Sequence, residues 1–132
     1  MNPRSITYHR ESRILELDYS DDTAAKLPAE LLRVFSPSAE VRGHSEEERV
    51  LQTGKKYIEI KSLESIGNYA IRIIFDDGHD TGIYSWSFLH DLVKRQDEYW
   101  QDYLTELKVA NASRLPTVPI GHWTPPRDDE PS

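Results

Sequence analysis

Two apolar runs set the limits on what this chain can fold into. Tyr57 to Ile66 and Tyr69 to Phe75 are rich in β-branched and aromatic residues, with only Gly67-Asn68 between them. Such runs read as strands, and a two-residue Gly/Asn break reads as a hairpin turn. Asp77-Gly78 supplies a second turn, leading into Thr81 to Tyr84. The spacing predicts three consecutive antiparallel strands.

Upstream, Ile6 to Tyr19 reads as one or two strands. Leu15, Leu17 and Tyr19 share one face and Glu16 and Asp18 the other, the period of a half-buried strand. Ser20-Asp21-Asp22 is a turn, and Thr23 to Leu27 a short partner strand. Pro28 suits the first position of a helix, where its missing N–H costs nothing. Pro37 stops that helix after Phe35, because proline disfavours helical geometry at the residue before it. Ser45 to Arg49 is a polar loop. Downstream, Leu89, Leu92, Val93, Trp100, Tyr103, Leu104 and Leu107 recur at helical period, interrupted only at Gln96. One long helix is expected from Trp86 to Leu107, capped by Ser85 or Ser87. Five of the eight prolines fall between Leu115 and Ser132. The expected organisation is one domain over 1–108 and a Pro-rich, partly disordered tail over 109–132. The fold class is α+β: mainly antiparallel strands in a sheet or two-sheet roll, one short helix, and a long carboxy-terminal helix.

Composition narrows function by exclusion. The chain has 132 residues and no cysteine, which removes disulfides, thiolate zinc sites and cysteine nucleophiles. Its net charge of −7 repels phosphate backbones and anionic lipids over roughly 10 Å. Neither nucleic acid nor membrane is expected as a partner, and the cytoplasm is the expected location. No GxSxG, P-loop, dinucleotide or zinc-helix motif is present.

The residues that remain carry weak signals. His79 follows the Asp77-Gly78 turn and offers a metal ligand, with His44 as its partner; two histidines without a third ligand are an incomplete site. The alternative is a histidine that hydrogen-bonds near the turn and orders the Ser36-to-Ser38 loop. Asp76, Asp77 and Asp80 have oxygen ligands to offer, but hairpin chemistry is the simpler reading. His9-Arg10-Glu11 and His44-Ser45-Glu46 match the start of a non-haem iron facial triad, a pattern with only two fixed positions. The barrel that such sites use needs more strands than this chain supplies. Ser36 and Ser38 near His44 or His79 would suit a hydrolase, against the plainer job of loop hydrogen bonding. Trp86, Trp100 and Tyr103 have core spacing, whereas Trp123 sits among prolines, where an aromatic either docks on the domain or on a partner or is simply solvent-exposed.

Two segments carry a family resemblance. Ser36-Pro37-Ser38-Ala39-Glu40-Val41-Arg42-Gly43-His44, and Asn68-Tyr69-Ala70 through Asp77-Gly78-His79 to Trp86, resemble the DUF971 family, the gamma-butyrobetaine hydroxylase-like N-terminal domain. The match runs from Ile6 to Leu107. In carnitine-pathway hydroxylases a similar domain precedes an iron- and 2-oxoglutarate-dependent oxygenase domain, and a similar domain ends some iron–sulfur carrier proteins. In the hydroxylases it holds zinc with three cysteines and one histidine. By that resemblance, cysteine is replaced here at Ser36, Ser38 and Val41, while His79 is kept. Serine hydroxyls are poor zinc ligands and valine is none, so the resemblance implies that the structural zinc is lost.

No cofactor is therefore expected, with zinc or iron at His79 and His44 as the alternative. The expected function is a non-catalytic accessory or protein-interaction domain, linked through the resemblance to metal-dependent oxygenases or iron–sulfur assembly. Its interaction residues are Ser36, Ser38, Arg42, His44 and His79, and its partner is a protein. The alternative is a small metal-binding protein.

Overall fold

Alternation along the second strand organises the first half of the molecule. The computed structural model describes residues 2–43 and 49–117. Strand β1 (Pro3–His9), β2 (Ile14–Tyr19) and β3 (Ala24–Pro28) form one antiparallel sheet in that order. Leu15, Leu17 and Tyr19 are buried while Glu16 and Asp18 lie on the wetter face, as the period requires. The β2–β3 turn is tied by the Asp21 carboxylate, which accepts from the Thr23 amide at 3.2 Å and the Thr23 hydroxyl at 2.6 Å.

Helix α1 (Ala29–Val34) follows without a break. Pro28 is not its first residue but its N-cap, extended at φ −64 and ψ 143. The reason is that Pro28 still pairs with Ile14 as the last residue of β3. Every residue of α1 is buried, including Glu30 and Arg33. Two buried charges in a six-residue helix require distant partners, and both have them. Glu30 takes a two-pronged bond from Arg114, and Arg33 donates to Asp77. Beyond Pro37 the expected loop contains a single helical turn, α2 (Ala39–Arg42), capped by the Ser38 hydroxyl at 3.2 Å from the Glu40 amide.

The second sheet is β4 (Ile60–Ile66), β5 (Ala70–Phe75) and β6 (Ile83–Ser85), again antiparallel and in chain order. Its turns differ from the expected two-residue type. Ile66 pairs with Ala70, leaving three residues in the first turn, with Gly67 at φ +53. Around the second, the Phe75 amide donates to the His79 carbonyl, and only Gly78 is left-handed, at φ +88. A type I′ turn needs both central residues left-handed; one glycine after two ordinary residues gives the three-residue turn instead.

The inward faces of both sheets share one cluster with α1 and with α3 (Trp86–Lys94), through Leu89 and Leu92. The single long helix expected here is two helices. At Arg95 the backbone leaves helical geometry, φ −114 and ψ 26, and α4 (Gln96–Val109) starts anew. Its Tyr103 and Leu107 join Val34 in a second cluster. The break at the polar step in the apolar stripe lets one amphipathic sequence serve two cores. Ser85 is the cap, accepting from the Phe88 amide at 3.1 Å. The expected boundary at 108 falls within α4. The following residues fold back: the Gly54 amide donates to Ser113 and the Lys56 amide to Arg114. The Ser45–Arg49 loop, except Arg49, and the tail from 118 lie outside the described residues. Among the described residues no helix is long and apolar enough to cross a membrane. The architecture is α+β, two three-stranded antiparallel sheets with helices.

Candidate functional site

Ser36, Ser38 and His79 come together, although more than forty positions separate the serines from the histidine along the chain. The end of α1 presents Ser36, the start of α2 presents Ser38 and Glu40, and the β5–β6 turn presents His79. Ser36 Oγ lies 2.8 Å from His79 Nε2, and His79 Nδ1 lies 3.2 Å from a Glu40 carboxylate oxygen. The proton positions follow by logic. A carboxylate only accepts, so Nδ1 carries the hydrogen. Nε2 of the neutral ring then accepts, so Ser36 donates. Ser36 Oγ in turn accepts from the Ser38 amide at 3.3 Å. The Ser38 hydroxyl is bonded to Thr81 Oγ1 at 2.6 Å.

This order matches the polarity of a serine–histidine–acid triad, but the surroundings differ. Ser36 is 0% exposed. A reacting carbonyl carbon must come within about 3–3.5 Å of the nucleophile, and Ser36, although it borders the adjoining groove, presents no exposed surface to one. The Ser38 amide, the nearest candidate for an oxyanion donor, is spent on Ser36 itself. The arrangement works as a clamp between helix and turn.

A second polar group lies alongside. Asp77 accepts from Arg33 Nε at 2.9 Å, Lys55 Nζ at 2.7 Å and the His79 amide at 3.0 Å. Burial pushes its carboxyl upward, but the bonds from Lys55, His79 and Arg33 outweigh burial and bring it down to about 2. Burial pushes the His79 imidazolium below its usual 6.5, and the Arg33 charge pushes the same way against Glu40 and Asp77. The unfolded chain therefore takes up a proton near pH 6.5 that the folded His79 refuses. Stability should fall as pH drops below that value, until the lower folded pKa is reached. His79→Gln should flatten this slope in denaturant titrations, whereas an unaltered slope would show that His79 is as basic in the fold as outside it. Asp77 acts in a separate window, its contribution being lost from 3.8 down towards about 2.

The zinc of the resembling hydroxylases does not fit these donors. Tetrahedral zinc with bonds of about 2.0–2.1 Å holds adjacent ligand atoms about 3.3 Å apart. Ser36 Oγ and His79 Nε2 sit 2.8 Å apart, the spacing of a shared proton. The third replaced position, Val41, is buried at 1% exposure and brings no donor atom. Arg33 adds a positive charge felt at the imidazole. Among the described residues no three His, Cys, Asp or Glu side chains converge on one point. Elemental analysis of protein purified without an affinity tag should find no stoichiometric zinc or iron. About one metal per chain, lost in His79→Ala, would overturn this.

The remaining sequence candidates separate. The contact surface expected from the sequence includes Ser36, Ser38 and His79; the structure buries all three, with Ser36 bonded to His79, Ser38 to Thr81 and His79 also to Glu40. They support a surface rather than form one. Arg42 is exposed, on α2, with its guanidinium 5.4 Å from the centre of the Phe88 ring. His44 and Trp123 lie outside the described residues. His9 bonds Glu16 across β1–β2 at 2.7 Å. Asp76 accepts from the Glu59 amide. Trp86 donates to the Asn68 carbonyl, and Tyr103 is fully buried.

Other participants carry no signal that sequence reading picked up. Glu40 and Thr81 complete the clamp, and Gly82 gives it room, since a Cβ there would lie 2.5 Å from Ser36 Oγ. A polar arginine at a core-facing helix position, Arg33, is the one clue to the Asp77 cluster. Beside the clamp a groove of about 820 Å³ runs between α2 and α3–α4. Phe35, Phe88 and Tyr99 line it together with Arg42, Arg49 and Arg95.

Residues 6–90 match the family described as gamma-butyrobetaine hydroxylase-like, N-terminal. Two proteins with solution structures determined by NMR are similar throughout. One is 45% identical over 90% of this chain and 94% of its own, at a TM-score of 0.76. The other is 42% identical over 95% and 93%, at 0.75. A crystal structure of a protein of unknown function, of the DUF971 family from Acidithiobacillus ferrooxidans, is 33% identical over 69% of this chain and 91% of its own, at 0.58. No curated protein matches the chain.

Proposed function

The chain belongs to the gamma-butyrobetaine hydroxylase-like N-terminal family, and from that premise we propose that it is a non-catalytic accessory domain that binds another protein through the face around α2. One observation carries the reading: α2 is clamped from beneath while its outer side is open. Ser36, Ser38 and His79 are buried under the helix, and Arg42 is exposed on it beside the groove. A short polar segment held this firmly, with no core role for its exposed arginine, suits recognition on a rigid scaffold. The resemblance suggests the setting, a partner of the metal-dependent oxygenase or iron–sulfur assembly type.

The test is capture of binding proteins on immobilised full chain, wild type against Arg42→Ala. Both forms should share one thermal midpoint, because an exposed helical arginine contributes little to stability. A protein captured by the wild type should be lost with Arg42→Ala. Equal capture by Arg42→Ala and Arg42→Glu would sink the proposed surface.

A further inference from the structure

We propose that the groove between α2 and α3–α4 receives an acidic segment of the partner, in which glutamate or aspartate side chains alternate with apolar ones. The inference rests on the reading of the chain as an interaction module and names the chemistry of what it binds.

The groove's three arginines each lie over an aromatic ring. The guanidinium-to-ring distances are 5.4 Å for Arg42 on Phe88, 4.5 Å for Arg49 on Phe35 and 5.0 Å for Arg95 on Tyr99. A ring contact restrains the side chain and leaves N–H groups at the guanidinium edge for a carboxylate. Arg49 is already committed, donating to the Val34 carbonyl and to Glu106. Arg95 pairs with Asp91 and Glu98, both on the surface at 40% and 67% side-chain exposure. Such pairs are worth little and are readily exchanged for an incoming carboxylate. Arg42 and Arg95 are therefore the receiving groups.

Charge then selects the ligand. The chain as a whole carries −7, so an acidic segment is favoured only where arginines gather. Asp102 and Glu106 line the same groove and oppose a uniformly anionic ligand such as a nucleic acid backbone. A peptide with spaced carboxylates places them at Arg42 and Arg95 and its apolar side chains against Phe35, Phe88 and Tyr99. The groove volume lies in the range that holds a few side chains.

The probe is a fluorescein-labelled peptide alternating glutamate with leucine, with its glutamine counterpart as control, titrated into the full chain by fluorescence anisotropy. The glutamate peptide should bind, and bind more weakly as salt rises. The double substitution Arg42→Ala with Arg95→Ala should weaken it at least about tenfold, the effect of one lost charge-assisted hydrogen bond. If that variant unfolds, Arg42→Glu alone on the exposed helix should show the same loss. No binding, equal binding of the glutamine peptide, or full retention in the variants overturns the inference. Binding that emerges only after Glu46, Glu47 and Glu48 are changed to glutamine makes the chain's own acidic stretch the occupant, and also overturns it. Capture that depends on Arg42 while the glutamate peptide fails leaves the interaction reading standing and removes only this one. Peptide binding combined with capture indifferent to Arg42 overturns the groove as the partner site.

Discussion

Arg114→Ala should destabilise the domain by about 2–4 kcal/mol. The Arg114 guanidinium bonds both oxygens of Glu30, at 2.8 and 2.7 Å, and lies over the Trp100 ring at 4.9 Å. Glu30 is 6% exposed and sits within α1, surrounded by core. Removing one partner of a buried pair costs about 3–5 kcal/mol, chiefly because the other charge is left without water or counter-ion. The Arg114 side chain is 34% exposed, which lowers the expectation. Chemical denaturation at neutral pH reads the effect. Glu30→Gln on the Arg114→Ala background should recover part of the loss, since a neutral amide costs less to bury than a carboxylate. A midpoint shift too small to measure would mean that the returning segment only rests on the domain.

Gly82→Ala should cost about 2–3 kcal/mol, for a reason of space and not of backbone conformation. The new Cβ would lie 2.5 Å from Ser36 Oγ and 3.1 Å from the Tyr84 ring. Neither neighbour can retreat. Ser36 is held by His79 and the Ser38 amide, and Tyr84 is fully buried with its hydroxyl donating to the Leu32 carbonyl at 2.6 Å. Overpacking of this kind costs about 1–3 kcal/mol, and the loss of a clamp bond places this case at the upper end. Ser36→Ala removes the crowded oxygen, so Gly82→Ala should cost less on that background, with a coupling above about 1 kcal/mol. Strict additivity in this double-mutant cycle would show that Gly82 and Ser36 do not meet.

What the sequence made legible is what local chemistry decides. The alternation of Leu15, Leu17 and Tyr19 placed β2 and its buried face, and the Gly67 and Gly78 regions placed two reversals. The turn lengths were missed because they depend on strand register, which the pairing of Ile66 with Ala70 settles. The break at Arg95 was not legible because a single polar step at Gln96 is tolerated within one helix and the apolar positions resume in phase beyond it; the existence of two cores, one around Leu92 and one around Tyr103, separates α3 from α4. At the site, His79 and the Ser36–Ser38 segment were readable from their motifs. Their bond was not, since it joins residues brought together by tertiary packing alone, and exposure of the two serines could not be judged without the fold. Glu40 looked like any surface acid until His79 stood beside it.

Neither sheet borrows a strand from the other half of the chain. Their order, β1-β2-β3 and β4-β5-β6, lets each form through short-range closures, which are the quick ones. Beside the apolar core that both sheets share, the halves are joined by a seam of polar bonds: Tyr8 to the Ile60 amide, Arg33 to Asp77, Ser36 to His79, Ser38 to Thr81, and Tyr84 to the Leu32 carbonyl. Bonds that need both halves in place are expected to form late, so Ser36→Ala should speed unfolding more than it slows refolding in stopped-flow measurements; a refolding rate that falls by the whole loss in stability would place the bond in the folding nucleus. Interactions absent from the transition state govern how slowly the native state comes apart, not how fast it assembles. On that expectation the polar clamp between helix and turn sets the lifetime of the folded domain.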